Sequence, residues 1–357
     1  MRNRQLVLRH RPVGAVTDDC FAAVDGPIPE PGPGEVLART LWLSFEPAQR
    51  GWLNDVRSYV PPVALGEVMR AWGIGEVIAT HSPAAAVGDL VCAAIGWQEH
   101  AVVRVDGADA DVVIVPRDLD DPTLLLSAAG LTGLTAYFGM TEIGRPREGD
   151  TVLVTAAAGA TGSVAGQIAR IRGAGRVIGT AGSDAKRAWV RDVAGFDVCI
   201  SHHDDSVRRT LRGVAPDGLD VVFDNVGGPL LDAALVNVAE RGRLVLCGAI
   251  STGYRPEKPE HGLHYYQVLT TRRARMEGFL VTDYADRFAA ARAEILGWVA
   301  DGRLRVAVDV IEGLDRAAEG LRGLFEGRNL GKQLLRVADR TTSPPPRVPA
   351  LDGATAR

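Results

Sequence analysis

Residues 151–169 form a run without a single charged side chain, long enough on length alone to cross a bilayer as a helix. Leu and Ile are scarce in this run, which divides into a β-rich segment (151–155), a turn containing Gly159 and Gly162, and a helical segment. We therefore predict a buried strand, turn and helix here, and no membrane span.

The overall charge excludes several partners. The 357 residues include 40 Lys and Arg against 44 Asp and Glu, a formal charge of −4, so the chain is not a general binder of nucleic acid or anionic membranes. The N-terminal stretch lacks the apolar core of a signal peptide, and the scattered cysteines show no CxxC pair. We expect a cytoplasmic protein with reduced thiols, and any anion site must be local.

Two patterns of predicted secondary structure divide the chain. Up to about residue 125, short β-runs are punctuated by Gly and Pro, which is typical of an irregular β domain. From 129 to 305 strands alternate with helices, which predicts an α/β fold with a parallel sheet. β-like segments return after 306. We therefore predict a β-rich domain formed by 1–128 and 306–340, a second domain at 129–305, and a flexible Pro-rich tail at 341–357.

The glycine-containing turn matches a phosphate-binding pattern. Ala157-x-Gly159-x-x-Gly162 lies between a predicted strand and a predicted helix, with Ala in place of the first glycine. Gly159 would let the backbone approach a pyrophosphate at the helix N-terminus, and Gly162 would let helix and strand pack closely. The alternative is a connection whose small residues serve packing only. We favour a dinucleotide site formed by Ala158, Gly159, Ala160, Thr161 and Gly162.

The next strand bears on the choice of cofactor. An acid at its end normally binds the ribose hydroxyls of NAD, but here the strand ends in Ala181-Gly182-Ser183. Ser183 is a candidate N-cap, and Lys186 follows in the first helical turn, where the helix dipole disfavours a cation. A bound 2′-phosphate would remove that conflict, so we predict NADP(H), with Gly182, Ser183 and Lys186 around the phosphate. The alternative is an ordinary solvated surface charge.

Several motifs together resemble one family. They are GLTGLTAYFGMTEIGRPREGDTVLVTAAAGATGSVAGQIAR (130–170), FDNVGG (223–228), LCGAIS (246–251), MEGF (276–279) and RNLGKQLL (328–335), with LSFEPAQRGWL, LGEVMRAWGIGEV and GWQEHAVV in the N-terminal half. This order is similar to that of the zinc-free medium-chain dehydrogenases/reductases. Within them, the chain most resembles the NADPH-dependent alkenal and prostaglandin/leukotriene reductases and their curcumin-reductase-like bacterial members.

The resemblance implies an α/β architecture in which a GroES-like β-rich catalytic domain is split around a Rossmann doubly wound parallel sheet. It implies a homodimer paired through edge strands, with MEGFLV (276–281) as the pairing strand. It also implies further cofactor contacts from Asn225, Cys247, Ser251 and Asn329. Taken alone, Asn225 and Asn329 are equally explained as turn residues, and Cys247 as a small buried hydrophobe.

The implied reaction is hydride transfer from NADPH to the β-carbon of an α,β-unsaturated ketone or aldehyde. No Cys and His set with zinc-ligand spacing is present, so we predict no metal, and hydrogen-bond donors must polarise the carbonyl oxygen. Tyr254 is the catalytic candidate, although Gly253 displaces it by one position from the family pattern. Tyr265 and Tyr266 compete for this role, and a surface-loop tyrosine is the structural alternative.

At other positions the sequence has residues that differ from those of the family. His202 stands where the family has a tyrosine near the 2′-phosphate, so protonation could favour NADPH binding; a solvated strand-end residue is equally acceptable. The substrate pocket is expected to include Glu46, Arg50 and Tyr59 beside Tyr254, with Ala48 in place of an aromatic. Alternative functions are a quinone or alcohol/ketone oxidoreductase and a non-catalytic NADPH-binding scaffold.

Overall fold

The computed structural model of the protein describes residues 2–107, 112–255, 257 and 261–340. The tail expected at 341–357 lies outside the described residues. Strands in the described chain are β1 (Arg2–Leu8), β2 (Phe21–Pro27), β3 (Glu35–Ser44), β4 (Trp72–Thr80), β5 (Leu90–Ala94), β6 (His100–Arg104), β7 (Val112–Ile114), β8 (Thr151–Val154), β9 (Arg176–Ala181), β10 (Val198–Ser201), β11 (Leu219–Asp224), β12 (Val238–Leu246), β13 (Arg275–Gly278), β14 (Val308–Glu312) and β15 (Lys332–Arg336).

Helices connect most of the strands in the central part of the chain. The α-helices of the described residues are α1 (Ala48–Trp52), α2 (Leu131–Phe138), α3 (Ala160–Ile171), α4 (Asp184–Asp192), α5 (Val207–Val214), α6 (Gly228–Leu235), α7 (Val268–Arg272), α8 (Phe288–Ala300) and α9 (Ala317–Phe325). A π-helical turn at Gly139–Gly144 extends α2, and a 3-10 segment at Val281–Arg287 precedes α8.

The central region forms a six-stranded parallel sheet in the order β10-β9-β8-β11-β12-β13. Its inner strands are buried on both faces: Val152 and Val154 pack into one core cluster, and Leu153 packs into another on the opposite face. The order is that of the doubly wound dinucleotide-binding fold, whose ligands bind beyond the carboxyl ends of the strands, where the winding reverses. Here that reversal lies between β8 and β11, and the predicted Rossmann sheet is confirmed.

A second, seven-stranded sheet draws on both ends of the chain. Its order is β14-β15-β3-β4-β5-β7, and β6 pairs with β3 outside that path. The late strand β15 lies antiparallel to β3, with Leu335 opposite Leu43. The β-rich sheet that we predicted is thus present and is completed by strands from residues beyond 306, while the exact domain limits stay a prediction.

The two sheets share a core and meet at one backbone contact near the glycine turn. Leu41 and Ile74 of the seven-stranded sheet belong to the same buried cluster as Phe138 and Val154 of the parallel sheet region. Close to this junction, Gly331 donates its N–H to the carbonyl of Ala158 at 2.8 Å. The segment leading into β15 therefore lies directly against the turn that follows β8.

The uncharged run 151–169 contains β8, the turn and most of α3, as predicted. No helix among the described residues has the length and apolar character needed to cross a bilayer.

Candidate active site

A cleft of about 860 Å³ lies beyond the carboxyl ends of the parallel strands and is bordered on its other side by the seven-stranded sheet. This volume is typical of a small-molecule or cofactor site. The predicted positions that line it are Glu46, Ala158, Gly159, Ala160, Thr161, Gly162, Gly182, Ser183, Lys186, His202, Asn225, Cys247, Ser251, Tyr254 and Asn329.

The turn after β8 brings backbone N–H groups to the cleft. Gly159 is the N-cap residue of α3, so the first N–H groups of this helix point toward the cleft without helical partners. A Cβ on Gly162 would lie 2.3 Å from the carbonyl oxygen of Ala156, which only glycine avoids. Ala156 itself has φ of 50°, so the strained turn position lies one residue before the Ala157 of the sequence motif. The arrangement suits an anion held at a helix N-terminus.

Lys186 and Arg187 differ in where their charges lie. Ser183 caps α4 by accepting a hydrogen bond from the Lys186 N–H at 3.3 Å. Lys186 lines the cleft, and its Nζ donates to the carbonyl of Gly327 at 2.6 Å. Arg187 instead donates to the carbonyl of Gly182 and to Asp184 within its own helix. Partial burial lowers the pKa of Lys186. A bound anion beside the ammonium group would raise this pKa again.

Two histidines stand beside Lys186. The rings of His202 and His203 lie 4.2 Å apart, and both line the cleft. A Cβ on Gly182 would come within 3.2 Å of each ring, so the glycine leaves room for both. Burial lowers the pKa of His202, with smaller contributions from His203, Lys186 and Arg187. The patch is therefore rich in cationic or potentially cationic groups.

A buried carboxylate organises the point where the sheet winding reverses. Asp224, fully buried at the end of β11, accepts hydrogen bonds from the Thr155 hydroxyl at 2.8 Å and from the Gly227 N–H at 2.8 Å. Burial raises the pKa of Asp224. The Asn225 Nδ2 donates to the carbonyl of Thr155 at 2.7 Å. Sequence reasoning did not identify Asp224 and Thr155 as site residues. The available signal was an acidic residue at the end of an apolar strand.

Tyr254 presents its hydroxyl inside the cleft. Gly253 and Tyr254 both adopt left-handed backbone conformations, with φ of 64° and 49°, and Asn54 Nδ2 donates to the Tyr254 carbonyl at 2.8 Å. The Tyr254 hydroxyl oxygen accepts a hydrogen bond from the Ala249 N–H at 3.1 Å. Its own hydrogen therefore remains available to a ligand. Burial raises the pKa of Tyr254 to about 12, so the side chain stays protonated near neutral pH.

Two other cleft residues, Ser251 and Asn329, use their side chains partly for local structure. The Ser251 hydroxyl donates to the carbonyl of Val226 at 2.6 Å, and Asn329 Nδ2 donates to the carbonyl of Gly331 at 2.7 Å. Cys247 faces the cleft as a thiol, because burial raises its pKa to about 12.

The cleft wall formed by β15 and the segment after β3 carries an ion pair that the sequence did not reveal. Lys332, fully buried on β15, donates from Nζ to Glu46 Oε1 at 2.9 Å and to the carbonyl of Phe45 at 3.0 Å. Ser44 also donates to Glu46 Oε1, whereas Glu46 Oε2 has no hydrogen-bond partner among the described residues. The Glu46 side chain therefore has a fixed position in the cleft wall, and its Oε2 is buried.

Arg50 and Tyr59 are not brought to the cleft. The Arg50 guanidinium is buried and donates to the carbonyls of Pro12 and Gly14 and to Asn54, so it secures a neighbouring loop instead of a substrate. Tyr59 is about half exposed, at 54%, and lines a separate hollow of about 390 Å³.

The competing tyrosines also lie elsewhere. Tyr265 contacts Arg208, and Tyr266 is exposed; neither lines the cleft. As for a metal, two groups of His, Cys, Asp or Glu within ligand distance of one another occur in the described part of the chain, and neither lies in the cleft.

A doubly wound sheet, a glycine turn at a helix N-terminus and a cationic patch define a dinucleotide-dependent oxidoreductase with a second, β-rich domain. Family models agree: residues 4–112 match "N-terminal domain of oxidoreductase" and residues 160–296 match "Zinc-binding dehydrogenase". The chain belongs to the medium-chain dehydrogenase/reductase family, in the branch of NADP-dependent curcumin, alkenal and prostaglandin reductases. The resemblance inferred from the sequence motifs is confirmed.

Individual relatives are similar over nearly their whole length. A putative NADP-dependent oxidoreductase of Bacillus subtilis is 39% identical, covering 94% of this chain and 98% of the relative. The NADPH-dependent curcumin reductase of Escherichia coli is 35% identical, covering 94% and 98%. The crystal structure of CurA from Vibrio vulnificus in complex with NADPH is 37% identical, with a TM-score of 0.87, covering 94% of this chain and 99% of that one.

Proposed function

We propose that the protein uses NADPH to reduce the carbon–carbon double bond of α,β-unsaturated ketones or aldehydes. The observation that carries the proposal is the Tyr254 hydroxyl, which is held in the cleft by the Ala249 N–H with its own hydrogen free to donate. The named activities of the curcumin, alkenal and prostaglandin reductases that resemble this chain support the same reaction class.

The residues of the cleft fit NADP(H). The N-terminus of α3 would hold the pyrophosphate, because its first N–H groups open toward the cleft and Gly162 keeps the turn compact. Lys186 and His202 would hold the 2′-phosphate beside Gly182 and Ser183. Asn225, Cys247 and Ser251 would border the ribose and nicotinamide, and Asn329 would contact the cofactor from the segment that returns to β15. When bound, NADPH supplies the hydride that reduces the β-carbon.

Tyr254 would stabilise the substrate oxygen. As the β-carbon is reduced, negative charge spreads from the alkene to the carbonyl oxygen, and a hydrogen-bond donor aimed at that oxygen stabilises the enolate without a metal. With a pKa of about 12, Tyr254 keeps its proton at neutral pH and acts as a donor and not as a base. The α-carbon then takes a proton from solvent, which completes a saturated ketone or aldehyde.

Glu46 would shape the substrate side of the cleft. Lys332 and Ser44 hold Oε1, so the carboxylate would keep a fixed position in the wall beside the substrate.

A turnover screen tests the proposal. NADPH oxidation is followed anaerobically with enals, linear enones, cyclic enones and quinones. NADP⁺ reduction is followed with secondary alcohols, and each product is identified by mass. We expect an increase of two hydrogen atoms across the alkene of an enone or enal. Turnover confined to quinones or alcohols would instead assign one of the other oxidoreductase activities, and binding without turnover would indicate a scaffold.

Tyr254→Phe tests the role of the hydroxyl. We expect kcat/KM for the best enone to fall about tenfold or more, because a hydrogen bond to developing charge contributes about 1.5–3 kcal/mol. Tyr266→Phe is the matched control, since that hydroxyl is exposed and outside the cleft. Full turnover by Tyr254→Phe would remove the hydroxyl from the mechanism while leaving the reaction class intact.

We further propose a homodimer and a cytoplasmic location. β13 stands at the edge of the parallel sheet, where a second copy could add strands. Cys20, Cys199 and Cys247 form no disulfide in the described structure, which suits a reducing compartment.

A further inference from the structure

Two histidines converge on one aspartate outside the cleft. Asp232 is buried on α6, and His261 and His264 lie in the loop before α7. His261 Nε2 and His264 Nδ1 each lie 2.8 Å from the same oxygen, Asp232 Oδ2. The other oxygen, Oδ1, accepts the His264 N–H at 3.0 Å. None of the three residues lines the cofactor cleft.

The three side chains that form these hydrogen bonds are also placed so that they could hold a metal ion. The ligand atoms of the three side chains lie within 4.8 Å of one another, and the two imidazole rings stand 4.5 Å apart at 74°. Two ligands at zinc bonding distances of about 2.0–2.2 Å are separated by about 3.3 Å at the tetrahedral angle. The observed separations of 2.8 Å therefore need to open by only a few tenths of an ångström. Each ring would give up its inward-facing proton and retain the outward one.

The donor set selects the type of metal. Two imidazole nitrogens and one carboxylate oxygen suit Zn²⁺ and neighbouring divalent transition metals, whereas Mg²⁺ and Ca²⁺ prefer sets made only of oxygen. His264 is 60% exposed, so the fourth position would open to solvent and hold water. The His264 N–H bond to Oδ1 would fix the carboxylate, as outer hydrogen bonds commonly do at metal sites.

A second group in the chain provides a comparison. His10, Asp19 and Cys20 also have ligand atoms within 4.8 Å of one another. There, His10 and Asp19 are exposed, and the buried Cys20 thiol already contacts the Thr17 hydroxyl. This group offers one imidazole in place of two, and its separation from Asp19 is longer, at 3.2 Å. It serves as the internal control.

We propose that Asp232, His261 and His264 form a zinc site that fastens the loop before α7 to helix α6. The site is independent of the proposed reaction. Its position gives the ion a structural role: α6 begins at the Gly227-Gly228 turn, which borders the cleft, and the loop follows Tyr254 in the chain. A zinc ion would thus stabilise the frame behind one wall of the cleft without entering it.

The test is direct zinc binding by the full chain without an affinity tag. The protein is stripped with a chelator and exchanged into metal-free buffer, and Zn²⁺ alone is titrated by calorimetry; bound metal is then quantified after gel filtration. We expect one equivalent per chain. His261→Gln and His264→Gln should each weaken binding about tenfold or more, and His10→Gln should bind as the wild type does.

Two further measurements keep the outcome clear. A glutamine can still donate to Asp232, so the variants should retain the wild-type circular dichroism and thermal midpoint in the absence of zinc. Zinc should raise the midpoint of the wild type and of His10→Gln, and should leave that of the double variant His261→Gln/His264→Gln unchanged. Absence of stoichiometric zinc in the wild type, wild-type zinc affinity in both loop variants, or loss of binding only in His10→Gln would overturn the proposal. None of these readouts depends on turnover.

Discussion

At the scale of single residues, the clearest contrast is between the neighbouring cations of α4. Lys186 is turned into the cleft and reaches Gly327, while Arg187 is held by Asp184 and Gly182 in its own helix. The position of both in the first turn was visible in the sequence. Which of the two faces a ligand was not, because that depends on contacts with a segment about 140 residues later in the chain.

Lys186→Ala should weaken NADPH binding with little effect on turnover. The KM for NADPH should rise about tenfold or more, since a hydrogen bond to a charged partner contributes about 1.5–3 kcal/mol, and kcat should remain near the wild-type value. Steady-state kinetics with NADPH and NADH measure this. Arg187→Ala is the matched control and should change the KM much less. An equal loss with NADH, which lacks the 2′-phosphate, would show that Lys186 acts through the Gly327 carbonyl instead.

His202 should make cofactor affinity dependent on pH. Burial holds its pKa below the ordinary 6.5 in the free protein, and a nearby phosphate would raise it. Affinity should therefore increase as pH falls through the raised pKa, reach its full gain below the free-state pKa, and be lost as pH rises. The Kd of NADP⁺, measured by calorimetry from pH 8 to about pH 5.5, should decrease toward acid.

Protonation of the phosphate itself, with a pKa near 6, opposes this trend and must be separated from it. His202→Gln keeps a hydrogen-bond donor but cannot titrate, so its profile reports the phosphate alone. The wild type should bind increasingly better than this variant as pH falls. Parallel profiles for the two proteins would show that His202 remains neutral beside the cofactor.

Other residues of the site were beyond sequence reasoning for a physical reason. Lys332 and Glu46 are 286 positions apart and form an ion pair only because β15 lies beside β3. Asp224 and Thr155 meet because β11 neighbours β8. Arg50 was expected near the substrate from its motif, but burial requires its donors to be satisfied, and backbone carbonyls of an early loop satisfy them.

At the scale of elements, local patterns predicted what local forces determine. The strand, turn and helix at 151–171 and the helix from Asp184 follow from apolar runs, small turn residues and the Ser183 cap, and all are observed. The α-helix that ends at Ala300 begins only at Phe288, and Tyr284 has non-helical backbone angles within the preceding 3-10 segment. There the ring of Tyr284 stacks on Phe138 at 4.6 Å, a long-range contact that no local pattern reports.

Gly162→Ala tests the close packing of α3 on the turn after β8. A Cβ would lie 2.3 Å from the Ala156 carbonyl oxygen, so the helix must shift, at a cost of about 1–3 kcal/mol in the free energy of unfolding. The midpoint of urea denaturation should fall, and the Kd for NADP⁺ should increase because the same N–H groups move. Gly213→Ala on α5, where a Cβ meets nothing within 4 Å, should be neutral or slightly stabilising. Equal midpoints for the two variants would contradict this account.

At the scale of the whole molecule, the chain leaves the seven-stranded sheet, builds the parallel sheet and then returns. The β-like segments after residue 306 predicted that the end of the chain rejoins the β-rich domain. The pairing of β15 with β3 identifies the strand that it joins. Strand order within the seven-stranded sheet was not predictable, because its pairings join segments far apart in sequence and leave no periodic signal. The return also positions Gly331 against Ala158, so both sheets contribute to one cleft.

The edge of the parallel sheet leads to a prediction about assembly. β13 pairs with β12 on one side and is the last strand of its sheet in the described chain, with the exposed Leu280 just beyond it. An open strand edge has unpaired backbone N–H and C=O groups that can pair with a second copy. Light scattering should give a mass near twice 37.9 kDa. Amides of 275–280 should exchange slowly with solvent at high protein concentration and faster on dilution. β10, the opposite edge, is the internal control and should exchange independently of concentration; identical behaviour at both edges would exclude a dimer through β13.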